Sequence, residues 1–139
     1  MRITLFSVEE ANRLVEEIRP QVEKLRAQKR EFDRLEMRMG VLAVVTSGAD
    51  ASNVDSRELT ELGEKRRRQG ERIAREIGEL HEFGVVVKDL DQGLCDFYAL
   101  KGDRLVFLCW RLGEREVGHW HSLDAGFAGR RPLKGAEIE

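Results

Sequence analysis

The sequence lacks several features that would assign it to a specialised class of protein. Its 24 Lys and Arg side chains nearly cancel its 26 Asp and Glu side chains, and both halves of the chain keep this balance. Nucleic-acid-binding domains usually carry a clearly basic patch. The one dense basic run, residues 65–68, is interleaved with acidic residues at helical spacing, which is typical of a solvated helix face. We therefore expect no nucleic-acid partner.

Long apolar segments and cysteine motifs are also missing. No stretch approaches the roughly 18 apolar residues that span a bilayer, and the N-terminal residues 1–6 are too few for a signal peptide. These absences predict a cytoplasmic protein without a membrane partner. The two cysteines, Cys95 and Cys109, lack CxxC spacing, and a cytosolic compartment would keep them reduced, with a structural disulfide as a minor alternative.

The length of 139 residues suits one domain, and we expect a single domain over residues 1–139. The first helix begins at a capping box, Ser7 with Glu10. Apolar residues then recur in steps of three and four, which indicates a packing seam. Pro20 lies inside this pattern, so we expect a kinked helix that ends near Gly40. The seam consists of Val8, Ala11, Val15, Ile18, Val22, Leu25 and Phe32.

A connector of small and polar residues, following the apolar segment 41–45, separates this helix from a second one. The second helix is predicted to start at Asn53 or Asp55 and to stop at Gly84. Two long helices joined in this way should form an antiparallel hairpin over about residues 7–83.

The remaining residues, about 84–139, are predicted to form a three- to four-stranded antiparallel β-meander with a C-terminal loop. Glycines punctuate short runs of β-branched and aromatic residues there. A two-residue type II′ turn at Gly102-Asp103 would pair Cys95 with Trp110 and Asp96 with Cys109. The apolar side of this sheet should cover the helical hairpin, which makes the fold class α+β.

The facing of the third strand depends on the length of the next turn. A three-residue loop, Gly113-Glu114-Arg115, places Trp120 on the apolar side and both His119 and His121 on the opposite side. A two-residue loop would reverse the strand and push both histidines against the core. Burial favours the three-residue loop.

This register predicts that Asp96, Cys109 and His119 lie in one row, with His121 two residues along the third strand. Carboxylate, thiolate and imidazole are ligands that zinc and other first-row divalent ions accept. A thiolate nucleophile at Cys109 is a second possibility, although no oxyanion hole is evident. The alternative to both is structural, with His121 as a hydrogen-bonded side chain and Cys109 as a small buried hydrophobe.

The C-terminal loop, residues 126–132, combines two glycines with Arg130 and Arg131. Two arginines and exposed amides could bind an anion. The alternative is that Arg130 anchors the loop by pairing with Asp96, Glu114 or Asp124.

Several motifs together resemble the bacterial family known only as domain of unknown function 2203, and the resemblance covers nearly the whole chain. It implies a small cytosolic protein without an established activity. At His119 the chain departs from the aromatic residue common in that family. The motifs are Val87-Lys88-Asp89-Leu90, Gly93-Leu94-Cys95-Asp96-Phe97, Leu108-Cys109-Trp110-Arg111-Leu112-Gly113-Glu114, Trp120-His121 and Gly126-Phe127-Ala128-Gly129-Arg130, with a start like Phe6-Ser7-Val8-Glu9-Glu10-Ala11-Asn12. The family positions carried over are Asp96, Cys109, Trp110, Glu114, Trp120, His121, Asp124 and Arg130.

The resemblance favours a site formed by Asp96, Glu114, His121 and Arg130 that binds a small ligand. The same site could bind a divalent metal ion through Asp96, Glu114 and His121, and hydrolytic chemistry is possible there. The alternative function is a non-enzymatic assembly or interaction module that uses the helical hairpin to dimerise or to bind a partner helix. Because two helices leave more apolar stripe than one sheet face can cover, we expect a homodimer through the helical hairpin.

Overall fold

Two long helices precede an antiparallel sheet in the computed structural model, which describes residues 2–136 and 138. The helices are α1 (Val8–Val45) and α2 (Val54–Glu82). The strands are β1 (Val85–Asp89), β2 (Leu94–Lys101), β3 (Arg104–Arg111), β4 (His119–Ser122) and β5 (Arg131–Pro132), and a single 3₁₀ turn spans Phe127–Gly129. The α+β class with a helical hairpin is confirmed.

The capping box predicted for α1 is present. The Ser7 hydroxyl accepts a hydrogen bond from the Glu10 amide at 3.1 Å, and the Glu10 carboxylate accepts one from the Ser7 amide at 3.0 Å. The predicted end near Gly40 is wrong, because α1 continues through Pro20 to Val45. Burial of Leu42, which is 2% exposed, outweighs the low helix propensity of the β-branched residues around it.

Asn53 is the N-cap of α2, and its side chain accepts from the amides of Asp55 and Ser56. Ion pairs show that the helices are antiparallel, since partners early in α1 are late in α2. Lys24 pairs with Glu76 at 3.2 Å, whereas Arg38 pairs with Glu58 at 3.1 Å.

The sheet has five strands in the order β1-β2-β3-β4-β5, each antiparallel to its neighbour. The number of strands exceeds the expected three or four because of the fifth strand, which consists only of Arg131–Pro132. The predicted pairing of β2 with β3 is confirmed, including Cys95 with Trp110 and Asp96 with Cys109. Gly102 has φ +65°, and Asp103 does not have a positive φ, as a type II′ turn requires.

The predicted register of β4 is also confirmed, with His119 opposite Cys109 and His121 opposite Phe107. The loop length is different, because pairing stops at Cys109 and residues 112–118 connect the strands. Arg111 stays paired with Leu94 of β2, but its amide donates to the Glu114 carboxylate at 2.7 Å. A side chain therefore takes the place of the backbone partner that would have extended the pairing between β3 and β4.

One face of the sheet packs with the helices to form the main hydrophobic core. Trp110, Phe97 and Leu108 from the sheet join Val15 and Leu25 of α1, all fully buried. Further along α1, Leu35 and Leu42 are buried but lie outside this core cluster. The hairpin therefore extends beyond the sheet. Within the described part of the chain, neither long helix is apolar enough to cross a membrane.

Candidate functional site

The face of the sheet opposite the helices carries a buried polar group. Asp96 on β2, Cys109 on β3 and His121 on β4 are 1%, 0% and 4% exposed. Side chains alternate across a strand, so these three residues project away from the apolar face that holds Cys95, Leu108 and Trp120. One ligand atom from each residue lies within 4.8 Å of the other two.

A hydrogen bond joins two members of this group. His121 Nε2 lies 3.0 Å from Asp96 Oδ2, and His121 Nδ1 lies 2.8 Å from the carbonyl oxygen of Ser122. A carbonyl can only accept, so Nδ1 carries a proton. The Nε2 and Oδ2 atoms must then share one further proton, either as an ion pair or as a neutral pair.

The other carboxylate oxygen of Asp96 lacks a hydrogen-bond partner. Oδ1 is buried, and among the described residues it accepts no hydrogen bond of good geometry, although the Cys109 thiol is close enough to the carboxylate to interact with it. Burial raises the pKa of Asp96, although His121, Lys88 and the Cys109 thiol lower it in part. A buried acceptor without a donor is costly in free energy, so this oxygen is a position where an additional ligand would be stabilising.

Cys109 is a thiol, not an activated thiolate. Burial and the neighbouring charge of Asp96 raise its pKa to about 12, while Arg130 lowers it in part. His119, the partner in the nucleophile hypothesis, has its Nδ1 3.7 Å from Glu114 Oε2. His119 is thus not placed as a base for Cys109, and His121, although within 4.8 Å of the thiol, is hydrogen-bonded to Asp96. A thiol can still release its proton to solvent when it binds a metal ion.

Cys95 lies on the opposite face of the sheet, inside the main core. Both cysteines are free and buried, and burial raises the pKa of Cys95 to about 12 as well. The minor alternative of a disulfide between them is therefore wrong for this fold.

Glu114 and Arg130 form a second group, which we call the loop clasp. Arg130 Nη2 donates to Glu114 Oε1 at 2.9 Å and to the Cys109 carbonyl oxygen at 3.4 Å. The Arg130 guanidinium also lies over the Phe127 ring, 4.7 Å from its centroid. This pairing confirms that Arg130 anchors the C-terminal loop, and Glu114 is the partner among the three that the sequence left open.

The loop clasp is tied to the helical layer through the same turn. Burial alone would raise the pKa of Glu114, but hydrogen bonds from Arg130 and the Arg111 amide lower it. The backbone carbonyl of Glu114 accepts from Arg19 at 3.1 Å and from the Trp110 indole at 2.9 Å. Glu114 is thus an ionised structural acceptor that fixes the β3–β4 connection.

The four residues expected to form one site fall into two pairs. Asp96 contacts His121, and Glu114 contacts Arg130. In the described residues, no hydrogen bond or ion pair joins Glu114 to Asp96 or His121. The two pairs approach each other at Cys109, whose backbone carbonyl accepts the hydrogen bond from Arg130.

Two residues that influence the buried polar group are missing from the predicted set of four. Cys109 is the third member of the polar group, as its predicted position in one row with Asp96 indicated. Lys88 on β1 was not expected; its charge lowers the pKa of Asp96, and its Nζ lies 4.6 Å from the Phe107 ring centroid. A β-bulge between Val87 and Asp89 sets its position, and no motif in the sequence predicts that irregularity.

Comparison with known proteins assigns a family but no activity. A family model described as an uncharacterized conserved protein, DUF2203, matches residues 4–133. The match covers most of the chain, and the chain belongs to this family. No curated protein and no solved structure matches it.

Proposed function

We propose that this member of an uncharacterised family is a metal-binding protein that holds one zinc-class divalent ion between Asp96, Cys109 and His121. The observation that carries the proposal is the convergence of three ligand atoms of different types within 4.8 Å on a buried face. Convergence alone is common in proteins, so the proposal also depends on whether the donor set and its surroundings suit a metal ion.

The donor set favours zinc over magnesium or calcium. Magnesium and calcium take oxygen ligands, whereas a thiolate and an imidazole select borderline or soft ions. The ligand atoms Nε2 and Oδ2 are 3.0 Å apart, close to the separation of two ligands on one tetrahedral ion with bonds of about 2.0–2.1 Å.

The ring nitrogen of His121 that would not bind the metal, Nδ1, is hydrogen-bonded as in many zinc sites. A metal-bound histidine usually donates its other N–H to a carbonyl or carboxylate, which fixes the ring and its tautomer. Here Nδ1 donates to the Ser122 carbonyl at 2.8 Å and leaves Nε2 available. Three protein ligands leave a fourth position for water or a small anion.

Binding need not place net charge in the buried site. Without metal, the Asp96–His121 pair holds one proton between its facing atoms, and the Cys109 thiol holds another. A divalent ion that displaces both protons leaves the total charge of the group unchanged. The large penalty for burying an isolated dication is therefore avoided.

Cobalt and zinc titration of the purified protein tests the proposal. We expect one Co²⁺ per chain, with a cobalt–thiolate charge-transfer band that excess zinc removes. Cys109→Ser should abolish the band, and Asp96→Asn and His121→Ala should weaken binding at least about tenfold.

Cys95→Ser is the matched control, because Cys95 is an equally buried cysteine on the opposite face. It should keep the band, as should Glu114→Gln. Circular dichroism checks that each variant is folded. Absence of stoichiometric binding, or a band that survives Cys109→Ser, would contradict the proposal.

A further inference from the structure

Arg130 has one hydrogen-bond donor that the loop clasp does not use. Its Nη2 atom donates to Glu114 Oε1 and to the Cys109 carbonyl oxygen. Its Nε atom is buried and has no hydrogen-bond partner among the described residues. A guanidinium keeps all its protons in a protein, so Nε is a donor. An acceptor that formed beside this buried donor would therefore be stabilising.

The guanidinium is held in place next to the buried polar group. The Arg130 side chain is only 12% exposed, and its Cζ atom lies 4.7 Å from the centroid of the Phe127 ring. Its hydrogen bond to the Cys109 carbonyl oxygen places it at the residue that also supplies the thiol. Burial raises the pKa of that thiol, and the nearby charge of Arg130 lowers it in part. An ordered cation thus lies close to the proposed sulfur ligand.

Metal binding would create an acceptor where Nε has none. A neutral thiol is only a weak acceptor, but a thiol that binds a metal ion loses its proton and becomes an anionic thiolate. Hydrogen bonds that involve charged groups are about twice as strong as neutral ones. Groups that hydrogen-bond to metal ligands orient those ligands and tune the affinity for the ion. Of the cationic side chains in the described residues, only that of Arg130 hydrogen-bonds to Cys109.

We propose that Arg130 is a positioning residue of the metal site, and that its Nε–H group donates to the Cys109 thiolate when the ion is bound. This role rests on the proposed function, because the thiolate forms only with the metal. The loop clasp then has a second purpose besides anchoring the C-terminal loop. It holds the guanidinium where the thiolate forms.

The cobalt–thiolate charge-transfer band measures this hydrogen bond. A donor to the sulfur lowers the energy of the sulfur lone-pair electrons, so removal of the donor shifts the band to longer wavelength. Arg130→Lys keeps the positive charge but replaces the Nε–H group by a methylene group. We expect this variant to shift the band to longer wavelength and to weaken cobalt and zinc binding at least about tenfold.

Two control variants separate this role from loop anchoring. Glu114→Gln removes the charged partner of Arg130 but keeps the guanidinium, so the band should move much less than in Arg130→Lys. Arg131→Lys removes a guanidinium from the adjacent position, where Arg131 Cζ lies 5.6 Å from the Trp120 ring centroid. It should leave the band and the affinity unchanged.

Nuclear magnetic resonance of the unmodified protein supplies a measurement that needs no variant. Zinc addition should shift the resonance of the Arg130 Nε proton and slow its exchange with solvent. An Nε proton that zinc leaves unchanged would overturn the inference even if Arg130→Lys does not fold.

The cobalt experiment distinguishes failure of this role from failure of the proposed function. Cobalt binding with an unchanged band in Arg130→Lys would overturn the role of Arg130 and leave the metal site intact. Equal band shifts in Arg130→Lys and Glu114→Gln would also overturn it, because loosening of the loop would then be sufficient. Absence of cobalt binding in the unmodified protein would overturn both proposals.

Discussion

Both faces of the sheet contain fully buried side chains, but the chemistry of the two buried sets differs. On the face against the helices, Phe97, Leu108 and Trp110 are fully buried among other apolar side chains. On the other face, Asp96 and His121 are buried beside a thiol, and one carboxylate oxygen accepts no well-formed hydrogen bond from the described residues. An apolar face stabilises the fold by burial alone, whereas a buried polar face requires partners. The convergence of three ligand atoms within 4.8 Å on the second face is the reason to seek a ligand there.

The largest expected effect is a difference in stability between substitutions at two adjacent residues of β3, one on each face. Leu108 and Cys109 are both 0% exposed but project to opposite sides of β3. Leu108→Ala leaves a cavity in the main core and should lower the free energy of unfolding by about 2–5 kcal/mol. Cys109→Ala, measured without metal, removes a thiol and should cost about 1 kcal/mol or less. Urea denaturation of both variants checks the difference, and equal losses would mean that both faces are core.

The register of the sheet could be predicted because it depends on local signals. The Gly102-Asp103 turn and the alternation of apolar residues specify every pair between β2 and β3. The grouping of side chains could not be predicted in the same way. His121 contacts Asp96 diagonally across two strand spacings, and Glu114 turns back to the Arg111 amide. Such contacts depend on side-chain rotamers and loop geometry, which residue spacing does not specify.

The extent of α1 has a similar explanation. The β-branched residues around Val41 and Val44 indicated a connector, but burial of Leu42 keeps the segment helical. Local propensity and tertiary packing disagreed there, and packing decided the structure. Leu42 is buried there, while Val41 and Val44 on the same helix remain exposed.

A smaller expected effect shows what the two faces have in common. Burial raises the pKa of both Cys95 and Cys109 from 9.0 to about 12, although they lie on opposite faces. Above pH 9 the unfolded chain loses these thiol protons while the folded chain keeps them. The stabilising contribution of each thiol is therefore complete below pH 9 and is lost as pH rises towards 12.

Stability measured at about pH 8 and about pH 10.5 tests this dependence. The decrease should be smaller in Cys95→Ala and in Cys109→Ala than in the unmodified protein, by similar amounts. If neither substitution reduces the decrease, the thiols do not differ between the folded and unfolded states in the way that burial implies.

X-ray absorption spectroscopy at the zinc edge tests the proposed metal site most directly. In the zinc-loaded protein, we expect one sulfur ligand at about 2.3 Å and nitrogen or oxygen ligands at about 2.0–2.1 Å. The sulfur signal should disappear in Cys109→Ser and persist in Cys95→Ser. A zinc shell without sulfur in the unmodified protein, or one with two sulfur atoms, would contradict the assignment of the metal to Asp96, Cys109 and His121.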